Sequence, residues 1–229
     1  YHSQARDWER YAMVKARAIT GDPDEIAQLM AMLRAFAFRR YIDFGVIESI
    51  RDMKRMIERE LHGKGMDANI KLGRGGIREI EFIGQAFQLV RGGREPELQI
   101  RAIQPVLGLL ADKEILPGSA VNELLAAYSF LRLTENRIQA WKDEQTHLLP
   151  EDDAGRLRLA RSMGFGDWDG FFEALDGGER QARLLRHSGD VTVVTKDNVL
   201  DVLMEVLRAN RQISFSDDRK KAAFEEKPW

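Results

Sequence analysis

Between Lys71 and Phe82 the chain reads Lys-Leu-Gly-Arg-Gly-Gly-Ile-Arg-Glu-Ile-Glu-Phe, a set of residue types suited to holding an anion. Ile77, Ile80, Ile83 and Phe87 recur at helical spacing, so a helix is expected to start near Gly76 and to bury that face. The first amides of such a helix are open, and with the helix dipole they favour a negative group, phosphate above all. Lys71 places an ammonium ahead of Gly73, Gly75 and Gly76; amides plus that charge suit a triphosphate, a pyrophosphate or inorganic phosphate. A plainer account stands beside this one: a Gly-x-Gly-Gly turn is also a helix start that needs backbone freedom.

Other side chains fall into line with that turn. On a first helix from Asp7 to about Ile19, Trp8, Ala12, Lys15 and Ile19 share one stripe. Lys15 either reaches a phosphate from there or snorkels at the edge of the core. Arg17 points about 200° away on a straight helix, so it cannot serve the same phosphate. Glu79 and Glu81 are also about 200° apart, and Glu81 lies nearer the Ile77–Phe87 side. On a long helix from about Ser119 to Trp141, the stripe Val121, Leu125, Tyr128, Arg132, Glu135, Gln139 turns from apolar to polar halfway along. Arg132 and Glu135 can pair at i,i+3 across a domain seam, or present a charged surface to a partner.

Metal-holding groups are harder to find. Asp22-Pro-Asp24 and Asp167-Trp-Asp169 have Asp-x-Asp spacing, but each precedes a helix and reads as a cap. His2, His62, His147 and His187 show no ligand spacing. No metal ligands and no catalytic residues are expected in this chain.

The elements that must position these groups are helices. A second is expected near Asp24–Phe36, and a third carries Ile47, Ile50, Met53, Ile57 and Leu61 on one stripe. Asn69–Leu72 is a short strand or arm feeding the glycine turn, and Gly92-Gly93 stops the helix after it. A helix over about Leu98–Asp112 is expected to be bent or interrupted at Pro105. Shorter ones follow at Asp152–Ser162 and Asp167–Leu175. Val191–Thr195 reads as a strand and Asp197 as a helix cap, while Ser216–Trp229 reads as a frayed end. The periodicity predicts a mainly α fold, a helical bundle with minor β-structure.

With 229 residues there is mass for one large or two small domains. The 35 basic and 37 acidic residues nearly cancel, at a net charge of −2, so no basic field exists to recruit nucleic acid. Zero cysteines exclude disulfides and thiolate metal sites and suit a bacterial cytoplasm. No apolar run approaches the roughly 20 residues a membrane helix needs. The chain starts at Tyr1 with no signal peptide after it, and reads as an internal piece of something longer.

Three blocks in order carry a family likeness: Arg6-Asp-Trp-Glu-Arg-Tyr-Ala-Met-Val-Lys-Ala-Arg17, the glycine turn with Ile77-Arg-Glu-Ile-Glu-Phe82, and Gln88-Leu-Val-Arg-Gly-Gly-Arg-Glu-Pro-Glu-Leu98. Together they closely resemble the bifunctional glutamine synthetase adenylyltransferase/adenylyl-removing enzymes of bacteria, in their amino-terminal, adenylyl-removing half. The likeness runs from Tyr1 to roughly Leu175. It implies that residues 1–92 end a nucleotidyltransferase α/β domain, that 93–187 form a helical domain of the uridylyltransferase/adenylyltransferase type, and that 188–229 are an unmatched tail. It implies ATP or ADP and Mg²⁺ in the intact enzyme, the metal-holding carboxylates lying before this chain begins. Lys15, Lys71, Gly75, Gly76 and Glu81 would line the nucleotide pocket. The implied partners are glutamine synthetase, the regulator PII and the carboxy-terminal adenylyltransferase half. Where the family usually has two arginines before Leu-Glu, this chain has Arg132-Leu133-Thr134-Glu135.

A reading of another class makes the chain a non-catalytic helical module that docks glutamine synthetase, PII or the partner domain through the polar face around Arg132 and Glu135. The related PII uridylyltransferase shares the glycine turn but not the Arg6–Arg17 and Gln88–Leu98 blocks.

Overall fold

A computed structural model of the chain describes residues 7–39, 52, 68–73 and 75–175. The expected third helix (apart from Asp52), the strand at Val191–Thr195, the helix after Asp197 and the chain end lie outside the described residues. What is described is mainly helical: α1 (Asp7–Met13), α2 (Pro23–Ala37), α3 (Ile77–Arg91), a 3-10 turn (Pro96–Leu98), α4 (Ile103–Asp112), α5 (Gly118–Lys142) and α6 (Asp153–Ser162). A last helix, α7, spans 168–175.

The centre of the bundle is α3. From Phe82 to Val90 every residue is buried, and Ile77 and Ile80 join them one face earlier. This helix packs against α1, α4 and α5. Its contact with α4 is close: a methyl placed on Gly84 would sit 2.2 Å from Ile103 Cδ1. Phe87, 1 % exposed, anchors this core; truncating so large a buried ring typically costs about 3–5 kcal/mol. Gln88 is buried with it and donates from Nε2 to the carbonyls of Leu98 (2.5 Å) and Ile100 (2.7 Å). Those two bonds satisfy carbonyls at the end of the 3-10 turn and just beyond it. Behind α5, Phe130, Phe165, Trp168 and Phe171 form a second, aromatic cluster, with Phe130 and Phe171 stacked at 5.9 Å and Trp168 at 5.2 Å from Phe171. It fastens α7 and the loop before it to the long helix.

Helix starts follow their capping residues. Asp22 Oδ1 accepts from the amides of Asp24 (2.9 Å) and Glu25 (3.2 Å), with Pro23 at the first helical position. Asp167 Oδ1 accepts from the Gly170 amide at 2.8 Å. Both Asp-x-Asp pairs therefore lead with a helix cap. α3 stops at Gly92, as the glycine pair predicts.

Three expectations are corrected. α1 ends at Met13, not near Ile19: Val14, 5 % exposed, turns into the core and the chain leaves the helix in a turn. Burial of that β-branched residue outweighs a weak local helix preference. Ile19 then projects into solvent at 86 % exposure. Asn69–Leu72 is not a strand. Asn69 makes a single antiparallel bridge with Leu148, after which its Oδ1 accepts from the amides of Lys71 (3.1 Å) and Leu72 (2.9 Å) and turns the chain. Pro105 neither bends nor interrupts a helix, because α4 begins at Ile103 and the proline lies in its first turn, where no intrahelical N–H is needed.

Candidate functional site

The glycine turn is held from two sides. Ile70 N–H donates to the His147 carbonyl at 3.0 Å, and Leu149 N–H donates to the Ala68 carbonyl at 2.9 Å, so residues 68–70 are stitched to the segment that follows α5. The chain then folds back on itself. The amides of Gly76, Ile77 and Arg78 donate to the carbonyls of Gly73 (3.0 Å), Ile70 (3.2 Å) and Lys71 (3.0 Å). Glu79 turns back, and its Oε2 accepts from the Gly75 amide at 2.9 Å. The amides expected to stand open for an anion are thus engaged within the turn, because the preceding loop supplies the carbonyls that a free helix end lacks.

The glycines have local reasons of their own. Gly75 adopts φ +70°, in the left-handed region that favours glycine. A Cβ on Gly76 would lie 2.7–2.8 Å from three backbone carbonyls, those of Gly73, Ile70 and Lys71.

Above this turn, α5 presents the stripe whose polarity changes along its length. Its residues meet two carboxylates. The first is Glu81 on α3: its Oε1 accepts the Tyr128 hydroxyl at 3.1 Å and the Lys15 ammonium at 2.9 Å. Lys15 thus arrives from the turn after α1 rather than along a helical stripe, and Arg17 is exposed in the irregular segment beyond it. Burial, helped by the Glu81 charge, pushes the Tyr128 hydroxyl up to about 12, so it remains a donor at neutral pH. Tyr11 is raised further still by burial.

The second carboxylate is Glu135 on α5 itself, 2 % exposed. Its Oε2 pairs with Arg132 at 2.6 Å; its Oε1 meets Lys71 at 3.3 Å and His147 Nδ1 at 3.0 Å. The imidazole is held below its usual range by burial first, then by the Lys71 and Arg132 charges, against the pull of Glu135. It is therefore neutral near pH 7, and the contact is a hydrogen bond from Nδ1–H to the carboxylate. Gln139, also 3.3 Å from Nδ1, donates to the Thr146 carbonyl at 3.3 Å instead. Glu135 is buried, so its part of the polar face turns inward, onto the glycine turn and the loop after α5, while Arg132 stays 43 % exposed at the side chain.

Of the residues singled out in the sequence, Lys15 and Glu81 meet each other, whereas Lys71 meets Glu135, about two turns beyond Tyr128 on the same stripe of α5. Nothing local in the sequence marks His147, because its partner Glu135 lies back on α5. The one available signal was the change of polarity along α5, whose polar half needs partners from elsewhere. Among the described residues, no group of three or more His, Asp or Glu side chains converges to hold a metal ion. Glu81 and Glu135 are each paired with lysine, a donor set that does not fit Mg²⁺. No described helix is long and apolar enough to cross a membrane.

Comparison with known proteins places this mainly helical chain among nucleotidyltransferase families. Residues 51–189, more than half of the chain, match the family model described as GlnD PII-uridylyltransferase, and residues 1–32 match that described as glutamate-ammonia ligase adenylyltransferase. The class is that of the uridylyltransferases and adenylyltransferases those models describe. Within it, the chain belongs to the family of the bifunctional glutamine synthetase adenylyltransferase/adenylyl-removing enzymes. It is 53 % identical over 208 residues to the protein of that name from Nitrosococcus oceani, covering 91 % of this chain and 21 % of the relative. It is 55 % identical over 175 residues to that of Thioalkalivibrio sulfidiphilus and 53 % identical over 175 residues to that of Pseudomonas aeruginosa, each covering 76 % of this chain and 18 % of the relative. The chain thus spans about a fifth of the length of these relatives.

Proposed function

We propose that the chain is part of the adenylyl-removing half of a cytoplasmic enzyme that adenylylates glutamine synthetase with ATP and removes the AMP again by phosphorolysis. In this reading residues 1–92 close the rear of the nucleotide pocket and 93–187 form the helical domain behind it. The intact enzyme would act with glutamine synthetase, PII and its own carboxy-terminal half. The family likeness supports the activity. The observation that carries the pocket role is the placing of Lys15 and Lys71, each 36–38 % exposed at the side chain, on two carboxylates: Glu135 of α5, and Glu81 of α3, which Tyr128 of α5 holds.

In such a pocket the two ammoniums would bind phosphate oxygens, each leaving its carboxylate for the ligand. Glu81 and Glu135 would hold the lysines in place while the site is empty, so the cations need little reordering when phosphate arrives. Gly75 and Gly76 would shape the turn that presents Lys71, their own amides being engaged in that turn. Mg²⁺ would be held by carboxylates other than Glu81 and Glu135, and the chain alone should be catalytically inactive.

Calorimetry with ATP and ADP, with and without Mg²⁺, tests the reading. The expected result is weak binding, indifferent to Mg²⁺ and reduced about tenfold or more in Lys15→Ala and Lys71→Ala. Binding that survives both substitutions unchanged would exclude these lysines from the pocket. Alanine at Gly76 is not a usable probe, since its Cβ would press on three carbonyls.

A further inference from the structure

The ion clusters at α3, α4 and α5 do not balance their charges alike. Arg91 and Lys113 face Glu95 and Glu97, two against two. Lys15 faces Glu81, one against one. Lys71 and Arg132 share the single carboxylate of Glu135, with a neutral His147 adding nothing. Within that cluster the two cations outnumber the one carboxylate.

Its geometry is as telling as its sum. Glu135 is 3 % exposed at the side chain, whereas Lys71 is 36 % and Arg132 43 % exposed. Each cation takes a different oxygen, Lys71 Oε1 and Arg132 Oε2, so a buried carboxylate holds an ammonium and a guanidinium side by side at the surface. Two like charges so close repel one another unless an anion lies between them or over them. Glu135 supplies the one beneath. Both cations keep donors to spare, three on an ammonium and five on a guanidinium, and the planar fork beside a point charge matches phosphate oxygens.

We propose that Lys71 and Arg132 form one phosphate-binding pair, positioned from below by Glu135, so that the helical domain contributes a ligand group to the pocket. This rests on the pocket reading for its nucleotide, although the pair itself requires only a phosphate. Tyr128 and Lys15 lie further toward the start of α5, on the separate carboxylate of Glu81.

The probes are inorganic pyrophosphate and ADP, titrated calorimetrically into the 229-residue chain. Arg132→Gln should weaken pyrophosphate about tenfold, as should Lys71→Gln, with the double variant little worse than either. Lys113→Gln, which removes a cation from a balanced cluster, should change nothing. Glu135→Gln separates positioning from charge. It makes the site more positive, so affinity rises if Glu135 only neutralises and falls if it positions the pair. Should that variant fail to fold, the two exposed cations decide alone. Pyrophosphate binding that is indifferent to Arg132→Gln overturns the pair, even if ADP still binds through Lys71. Pyrophosphate binding lost in Arg132→Gln without any ADP binding keeps the pair and removes the nucleotide. No binding of either probe removes both.

Discussion

Tyr128 reaches across 47 residues of sequence to donate its hydroxyl proton to Glu81 at 3.1 Å, the same oxygen that takes Lys15. That bond fixes the carboxylate of α3 by a side chain of α5, so the position of Lys15 depends on how the two helices pack. Tyr128→Phe keeps the ring and deletes the bond. It should lower stability by about 1 kcal/mol in urea denaturation, because Glu81 is only part-buried and retains its lysine. A change no larger than the scatter would mean that water replaces the hydroxyl at no cost.

Glu135→Ala should be the more damaging change. It leaves Arg132 and Lys71 facing each other with no anion beneath, and His147 without its acceptor. Breaking a fully buried pair typically costs several kcal/mol, but both cations here are more than a third exposed. The expected loss is therefore reduced to about 1–3 kcal/mol. High salt should narrow the difference from wild type by screening the repulsion.

His147 makes stability depend on pH. Its folded-state value is depressed below the ordinary 6.5, so the unfolded chain takes up a proton first as pH falls. Stability should therefore be full above about pH 6.5 and decline below it. Urea midpoints at pH 7, 6 and 5 give the slope, and His147→Gln should flatten it. An unchanged slope in that variant would assign the acid sensitivity to other groups.

Gly84 and Ile103 offer a test of packing. Alanine at Gly84 would meet Ile103 Cδ1 at 2.2 Å, the end of a movable side chain. The variant should lose about 1–3 kcal/mol, as overpacked cores do. Ile103→Val removes the offending methyl, so the double variant should recover part of that loss. Additive losses would place the strain elsewhere. Gly76→Ala has no such remedy, since all three obstacles are backbone.

Much of this was legible in the sequence. Helices α2, α3, α5 and α6 follow from apolar periodicity and from residues that stop or cap them. Asp22, Asp152 and Gly92 do so through interactions one to four residues long, which a sequence states directly. The family likeness was legible for the same reason: three contiguous blocks suffice to carry it. Tertiary structure decided which groups meet. Val14 ends α1 early because the core takes it, and this brings Lys15 to Glu81 from a turn instead of along a helix. The amides of the glycine turn look open in the sequence, but Ile70, Lys71 and Gly73 fold back to accept from them. Glu135 reads as an exposed helix residue with one neighbour at i,i+3; its other two partners, Lys71 and His147, come from segments on either side of α5. Local rules reach about one helical turn, whereas burial of a charge depends on segments brought together only when the core closes.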